Sequence, residues 1–239
     1  MPRIVVVGGG LMGLSAAFHL RRADPGGRVV VLERAHIGSG ASGASAAGVR
    51  VMGRDPAERA LALASLGRWP TLDRELEGAT GYRRGGGLRI ALDEEEWRAA
   101  PAWVEQQRVD SVPVQLIGAA EAQRLAPGIS PGCLGGVLCP IDGQAEAMPT
   151  TLAFAEAARK LGAQLVEGVG ATAVVVERGR AAAVARTDGG REPCDGVVVA
   201  AGVWTPALLE PLGVRLPFET RGLQMLLTTP APPAALAPC

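Results

Sequence analysis

Chemically versatile side chains are scarce in this chain of 239 residues. Aromatic residues make up 3% of it, and there are two histidines, His19 and His36. Four cysteines (Cys133, Cys139, Cys194, Cys239) are scattered without a Cys-x-x-Cys pair. With so few histidines beside them, they indicate neither a metal site nor a disulfide framework. They read as reduced thiols in a cytoplasm. No Ser-His-Asp set or carboxylate pair stands out, so no catalytic residue can be named. Arg50 and Arg83 are within the repertoire for an anionic substrate, but they read more simply as surface or structural arginines. Of the 24 Lys and Arg residues only Lys160 is lysine, a bias we ascribe to genomic composition. The 24 acidic residues balance them, which argues against a nucleic-acid or anionic-membrane surface. The apolar stretch over 4–20 is broken by glycines too early to span a bilayer, and Arg21-Arg22 follow it rather than precede it. Neither a membrane helix nor an export signal is expected. The shortage of aromatics favours a small polar substrate over one held in a hydrophobic cage.

What is abundant is apolar and small: 48% of residues are hydrophobic and 33 are glycine, in a chain long enough for one or two domains. The most informative stretch comes first. Ile4-Val5-Val6-Val7 reads as a buried parallel strand and Leu14 to Leu20 as a helix. Between them Gly8, Gly10 and Gly13 have the G-x-G-x-x-G spacing. The first glycine permits the tight turn, the second lets a pyrophosphate approach the backbone, and the third lets helix and strand pack closely. The helix N-terminus then presents N–H groups and a positive dipole end to phosphate. A second strand, Val29 to Leu32, ends in Glu33, placed to accept hydrogen bonds from a ribose hydroxyl. A plain βαβ unit with an exposed Glu33 is the alternative, and it leaves this ordered context unexplained.

Residues 38–48 (GSGASGASAAG) have the composition of a flexible linker. A linker directly after the second strand would break the nucleotide unit apart, so we read a cofactor loop. Its small residues allow close backbone approach, with Ser39, Ser42 and Ser45 as donors. Residues 57–78 predict two helical pieces interrupted at Pro70. Tyr82 to Leu92 predicts a strand with a glycine-rich entry. Asp93 predicts the cap of a helix whose first turn is Glu94-Glu95-Glu96, a capped helix end rather than a metal site. Residues 113–139 predict short strands and turns. Pro149 precedes a predicted helix over 150–161 closed by Gly162. A hairpin is expected around Arg178-Gly179-Arg180, and Gly196 to Val199 is expected to rejoin the parallel sheet before Ala200-Ala201-Gly202-Val203-Trp204.

Taken in order, VVVGGGLMG, VVVLER, the GSGASGASAAG loop, DGQAEAMPTTLAFAEAARKLGAQL and VVVAAGVWTPALLEPLGVRLPFETRG resemble the FAD-dependent oxidoreductases of the D-amino-acid oxidase type. Glycine oxidase and sarcosine oxidase with its β-subunit relatives belong to that family. The resemblance extends to about Leu227. It implies an α/β fold: a Rossmann-like FAD-binding domain, a parallel sheet with helices, plus a partial, β-rich substrate domain. The expected division is 1–80 (FAD-binding, first part), 81–145 (substrate-facing α+β lobe), 146–215 (FAD-binding, return) and 216–239 (the start of a substrate-domain segment and a Pro/Ala tail).

The resemblance implies FAD as cofactor, with Gly8, Gly10, Leu11, Met12 and Gly13 at the pyrophosphate turn and Glu33 and Arg34 around the adenosine ribose. Ser42, Gly43, Ala46, Ala47 and Gly48 would line pyrophosphate and flavin, and the backbone at Ala173 or Val174 would meet the adenine. Gly202 and Trp204 match the family's Gly-x-Trp. The implied reaction is oxidation of the C–N bond of a small amino acid or N-alkyl amino acid by hydride transfer to flavin. Flavin-dependent oxidation of a 2-hydroxy acid or glycerol phosphate on the same fold is an alternative. Family members continue with further substrate-domain strands and a glycine-rich return to the flavin. The chain is therefore expected to be the first part of such an enzyme: a truncated product, or a FAD-binding subunit completed by a partner chain. Its tail over 228–239 is expected to be disordered. A nicotinamide dehydrogenase ranks behind these readings, because it gives no reason for the small-residue loop or the late VVVAAGVW strand.

Overall fold

A computed structural model describes residues 1–224. The tail expected over 228–239 lies outside the described residues. From the N-terminus the elements are β1 (Arg3–Val7), α1 (Leu11–Ala23), β2 (Arg28–Glu33), β3 (Gly48–Val49), α2 (Pro56–Leu66), α3 (Trp69–Leu76), β4 (Gly87–Ala91) and α4 (Glu94–Val109). They continue with β5 (Gln115–Gly118), α5 (Ala119–Leu125), β6 (Gly135–Cys139), β7 (Gly143–Gln144), α6 (Ala147–Lys160), β8 (Gln164–Glu167) and β9 (Ala171–Glu177). The last are β10 (Arg180–Arg186), β11 (Arg191–Pro193), β12 (Gly196–Val199) and α7 (Thr205–Leu209). The chain divides into two compact units. The first comprises Met1–Ala46, Asp73–Thr80 and residues 147–224, and the second Ala47–Leu72 and Gly81–Glu146.

The first unit is built on a parallel sheet in the order β12-β1-β2-β8. Val5, Val6, Val30, Val31 and Leu32 are buried, as expected of β-branched strands covered on both faces. Each such side chain contributes about 1.5–3 kcal/mol on burial. On one side α1 packs against the alanine-rich face of α6, where the Phe18 and Phe154 rings meet edge to face at 5.9 Å. The small side chains of that face admit the close approach. Helix α1 begins at Leu11, three residues before the sequence-based start, so Leu11, Met12 and Gly13 form its first turn. Helix α6 begins at Ala147 and takes Pro149 into its first turn, where the missing N–H has no intrahelical partner to lose. Gly162 follows it with φ +89°, closing its C-terminus. The remaining strands form an antiparallel sheet, β11-β10-β9. Its β9–β10 turn has positive φ at both Arg178 (50°) and Gly179 (76°), the hairpin geometry that matches strand twist.

The second unit has an antiparallel sheet β4-β6-β5 and a short pair β3-β7. Val49, Val51, Val104, Val112, Val114 and Val137 share its core. Asp93 caps α4 by accepting from the Glu96 N–H at 2.8 Å. Two sequence expectations differ here. The helices over 57–78 part at Gly67 and Arg68, and Pro70 lies in the first turn of α3, a position proline tolerates. Residues 113–139 include helix α5 between their strands, because Ala119-Ala120-Glu121-Ala122-Gln123-Arg124-Leu125 consists of strong helix formers.

Candidate cofactor site

The functional candidate is a cleft of about 430 Å³ in the first unit. It lies where β1 and β2 end and where the chain turns after β12, and that edge of an open parallel sheet is where such folds bind ligands. The turn after β1 is built by steric necessity. Gly8 has φ +111°, and a Cβ there would stand 2.4 Å from the Ala200 carbonyl oxygen. A Cβ at Gly13 would stand 2.0 Å from the Gly8 carbonyl oxygen. The Gly8 N–H is engaged by the Leu32 carbonyl at 2.9 Å, fixing the turn against β2.

Helix α1 opens into this turn without a side-chain cap from Gly10. Its first N–H, at Leu11, donates instead to Ser42 Oγ at 2.9 Å. A cap supplied from 31 residues away joins the small-residue loop to the helix N-terminus. Glu33, at the end of β2, does similar work with its two oxygens: Oε2 accepts from Gly9 N–H at 2.7 Å and Oε1 from Ala35 N–H at 2.9 Å. Each oxygen keeps a lone pair for a further donor. Beyond Glu33, the Arg34 guanidinium stacks on the Trp204 ring, 3.6 Å from its centroid. The stem of Arg34 runs beside Gly170, whose Cβ, if present, would be 2.9 Å from the Arg34 Cβ.

Of the residues singled out from sequence, Gly8, Gly10, Glu33, Arg34, Ser42, Gly202 and Trp204 line this cleft. Gly13 acts at the strand–helix crossing, and Met12 points outward with 75% of its surface exposed. Gly43 closes the loop through its N–H bond to the Gly38 carbonyl. Ala46 ends the first unit's N-terminal segment, whereas Ala47 and Gly48 belong to the second unit. There the Ala47 carbonyl accepts from Ala145 N–H at 3.0 Å and Gly48 pairs with Gln144. On β9 the cleft wall is Ala171 and Thr172, not Ala173 and Val174 further along the strand.

Gly170 and Thr187 also line the cleft, and sequence reading did not single them out. The Thr187 hydroxyl accepts from Gly170 N–H at 2.9 Å, so its own proton is available to a ligand. The β9–β10 hairpin brings it there, and no local motif signals it.

This donor set fits a dinucleotide. Phosphate can meet the first-turn N–H groups of α1 beyond Leu11, whose own N–H is taken by Ser42, and the side-chain-free backbone of Gly10. Gly40 adds a second open approach, with no atom within 4 Å of an added Cβ. An acid, Glu33, stands at the end of β2, and an arginine–tryptophan stack offers a planar surface beside it. Fold and site therefore define a dinucleotide-binding α/β domain.

The family model of the FAD-dependent oxidoreductases (DAO) matches residues 3–239. The chain belongs to that family, whose cofactor is FAD. It is 31% identical to glycine oxidase of Geobacillus kaustophilus (strain HTA426), over 96% of this chain and 62% of the relative. It is 32% identical to a D-amino acid dehydrogenase of Rhizobium johnstonii, over 75% of this chain and 44% of the relative. The crystal structure of glycine oxidase from Geobacillus kaustophilus superposes with a TM-score of 0.82 at 28% identity, covering 90% of this chain and 60% of that one. The chain thus spans about three fifths of the glycine oxidase's length. No helix among the described residues is long and apolar enough to cross a membrane.

Proposed function

We propose that this chain carries the FAD-binding part of an enzyme that oxidises the C–N bond of a small amino acid or N-alkyl amino acid. The observation behind the reading is the cleft in which the Gly8–Gly13 turn, Glu33, Ser42 and the Arg34–Trp204 stack converge. In family terms, bound FAD supplies the hydride acceptor. The substrate loses a hydride from carbon and a proton from nitrogen, and water hydrolyses the resulting imine to an oxo acid or aldehyde and an amine. The chain's own residues bind and orient the cofactor. Helix α1 and Gly10 receive the pyrophosphate, Glu33 accepts from the ribose, and the loop over 38–42 covers the phosphates. Gly43, Ala46 and the backbone near Ala173 and Val174, beside the cleft in the first unit, remain part of the proposed FAD surface.

Glycine oxidase and D-amino acid dehydrogenase among the relatives support a small amino acid as substrate. Cys133, Cys139 and Cys194 are free and buried, in keeping with a cytoplasmic location. The test is the visible spectrum of the FAD-loaded chain before and after anaerobic addition of amino acids and N-methyl amino acids. Bleaching by one of them is the expected result. Bleaching only by 2-hydroxy acids or glycerol phosphate would move the chemistry to a C–O bond. A bound flavin that no substrate reduces would make the chain a FAD-binding subunit that needs a partner.

A further inference from the structure

The loop over 38–42 forms one wall of the cleft, and its shape is held from within and from behind. Gly38 N–H donates to the Gly9 carbonyl at 3.0 Å, and Gly43 N–H to the Gly38 carbonyl at 3.0 Å. Its back is seated on one side chain of α6. The Met148 sulfur lies 2.8 Å from where a Cβ of Gly38 would be and 2.6 Å from where a Cβ of Gly43 would be. The thioether fills the hollow that two missing side chains leave, and no space remains for a methyl group. Thr151, fully buried, backs the same seat, with Cγ2 3.4 Å from the Gly38 Cβ position. Met148 nevertheless keeps 36% of its surface in solvent.

We propose that Met148 is a positioning residue for the cofactor, acting through this loop, and that hydrogen peroxide unseats the loop by oxidising it. The proposal rests on the reading of the cleft as the FAD site. In the reaction a sulfur lone pair attacks one peroxide oxygen and the O–O bond breaks. An S–O bond forms, and the departing hydroxide takes the remaining proton and leaves as water. The sulfoxide adds an oxygen and a strong dipole to a contact already too tight for one carbon. The loop must then move away from α6, loosening the wall against which the cofactor rests.

The experiment treats the FAD-loaded full chain with hydrogen peroxide. Released FAD is followed by its fluorescence, sulfoxide at each methionine by peptide mass spectrometry, and amide exchange at Gly38 and Gly43 in parallel. Met148→Leu keeps the apolar volume without a sulfur, and Met148→Ala empties the seat. We expect wild type to lose FAD in step with Met148 sulfoxide rather than with oxidation of Met12, and Met148→Leu to retain it. Met148→Ala should weaken FAD binding about tenfold without peroxide. FAD release from Met148→Leu equal to wild type, or Met148 sulfoxide with FAD retained, would overturn the proposal. A folded wild-type chain that takes up no FAD would instead defeat the cofactor reading. Amide exchange then decides the positioning role alone: faster exchange at Gly38 and Gly43 in the oxidised or Met148→Ala chain supports it, and unchanged exchange refutes it.

Discussion

Glu33 shows how one side chain can serve both fold and ligand. Its carboxylate binds the N–H groups of Gly9 and Ala35, drawing the glycine turn towards β2 before any ribose arrives. Glu33→Gln replaces one acceptor by a donor that faces an N–H. The loss of one charge-assisted bond, about 1.5–3 kcal/mol, should weaken FAD binding at least about tenfold, as fluorescence titration of the apo chain would show. Unchanged affinity would mean that the acid serves the glycine turn alone and not the ribose. Trp204 makes a different contribution. Removing its ring in Trp204→Ala leaves the Arg34 guanidinium without its stacking partner, a contact worth about 0.5–2 kcal/mol. The thermal midpoint of the apo chain should fall by about 2–4 °C for each kcal/mol lost, and FAD affinity should fall by no more than about thirtyfold in the same titration. Glu33 was legible from its spacing after the glycines. The Arg34–Trp204 stack was not, because 170 residues separate partners that only the folded sheet brings together.

Among the elements, β1, β2 and β12 could be read from sequence because runs of valine favour strands; β1 and β2 form the covered middle of the parallel sheet and β12 its half-buried edge. Boundaries were less legible. The helix pieces over 57–78 part at Gly67 rather than Pro70, since a proline in a first turn breaks nothing. The pairing of β3 with β7, two residues each, could not be read either, because so short a ladder leaves no periodicity. Asp142, beside that pair and 1% exposed, accepts from Val51 N–H at 2.7 Å and Met52 N–H at 3.3 Å. Burial raises its carboxyl above the usual range, although those N–H groups pull the other way. The folded-state value thus exceeds the unfolded one, about 3.9. The stability it contributes is full below that value and is lost as pH rises through the raised one. Asp142→Asn should flatten this decline, as urea midpoints measured across mildly acidic pH would show; parallel slopes in the two proteins would remove Asp142 as the cause. Next to it, burial pushes the Cys139 thiol up to about 11. Native Cys139 should therefore resist alkylation at neutral pH and react only after unfolding, which mass mapping of the labelled chain would reveal.

At the scale of the molecule, the chain belongs to the FAD-dependent oxidoreductases and spans 62% of the length of a glycine oxidase relative. The family was legible from the order of five segments, each weak alone. The division of the small-residue loop was not: its first part lies in the cleft's unit, while Ala47 and Gly48 belong to the other. Composition alone does not mark where a run of Gly, Ser and Ala changes partners. The central claim is that FAD binds this chain in the cleft at the end of β1 and β2. The most direct measurement is equilibrium titration of the apo chain with FAD, set beside Gly10→Val, which places a side chain where a Cβ already stands 2.9 Å from Ser42 Oγ. The account predicts one FAD per wild-type chain and none on a folded Gly10→Val chain. A folded wild-type chain that binds no FAD, or a Gly10→Val chain that binds it equally well, would contradict it.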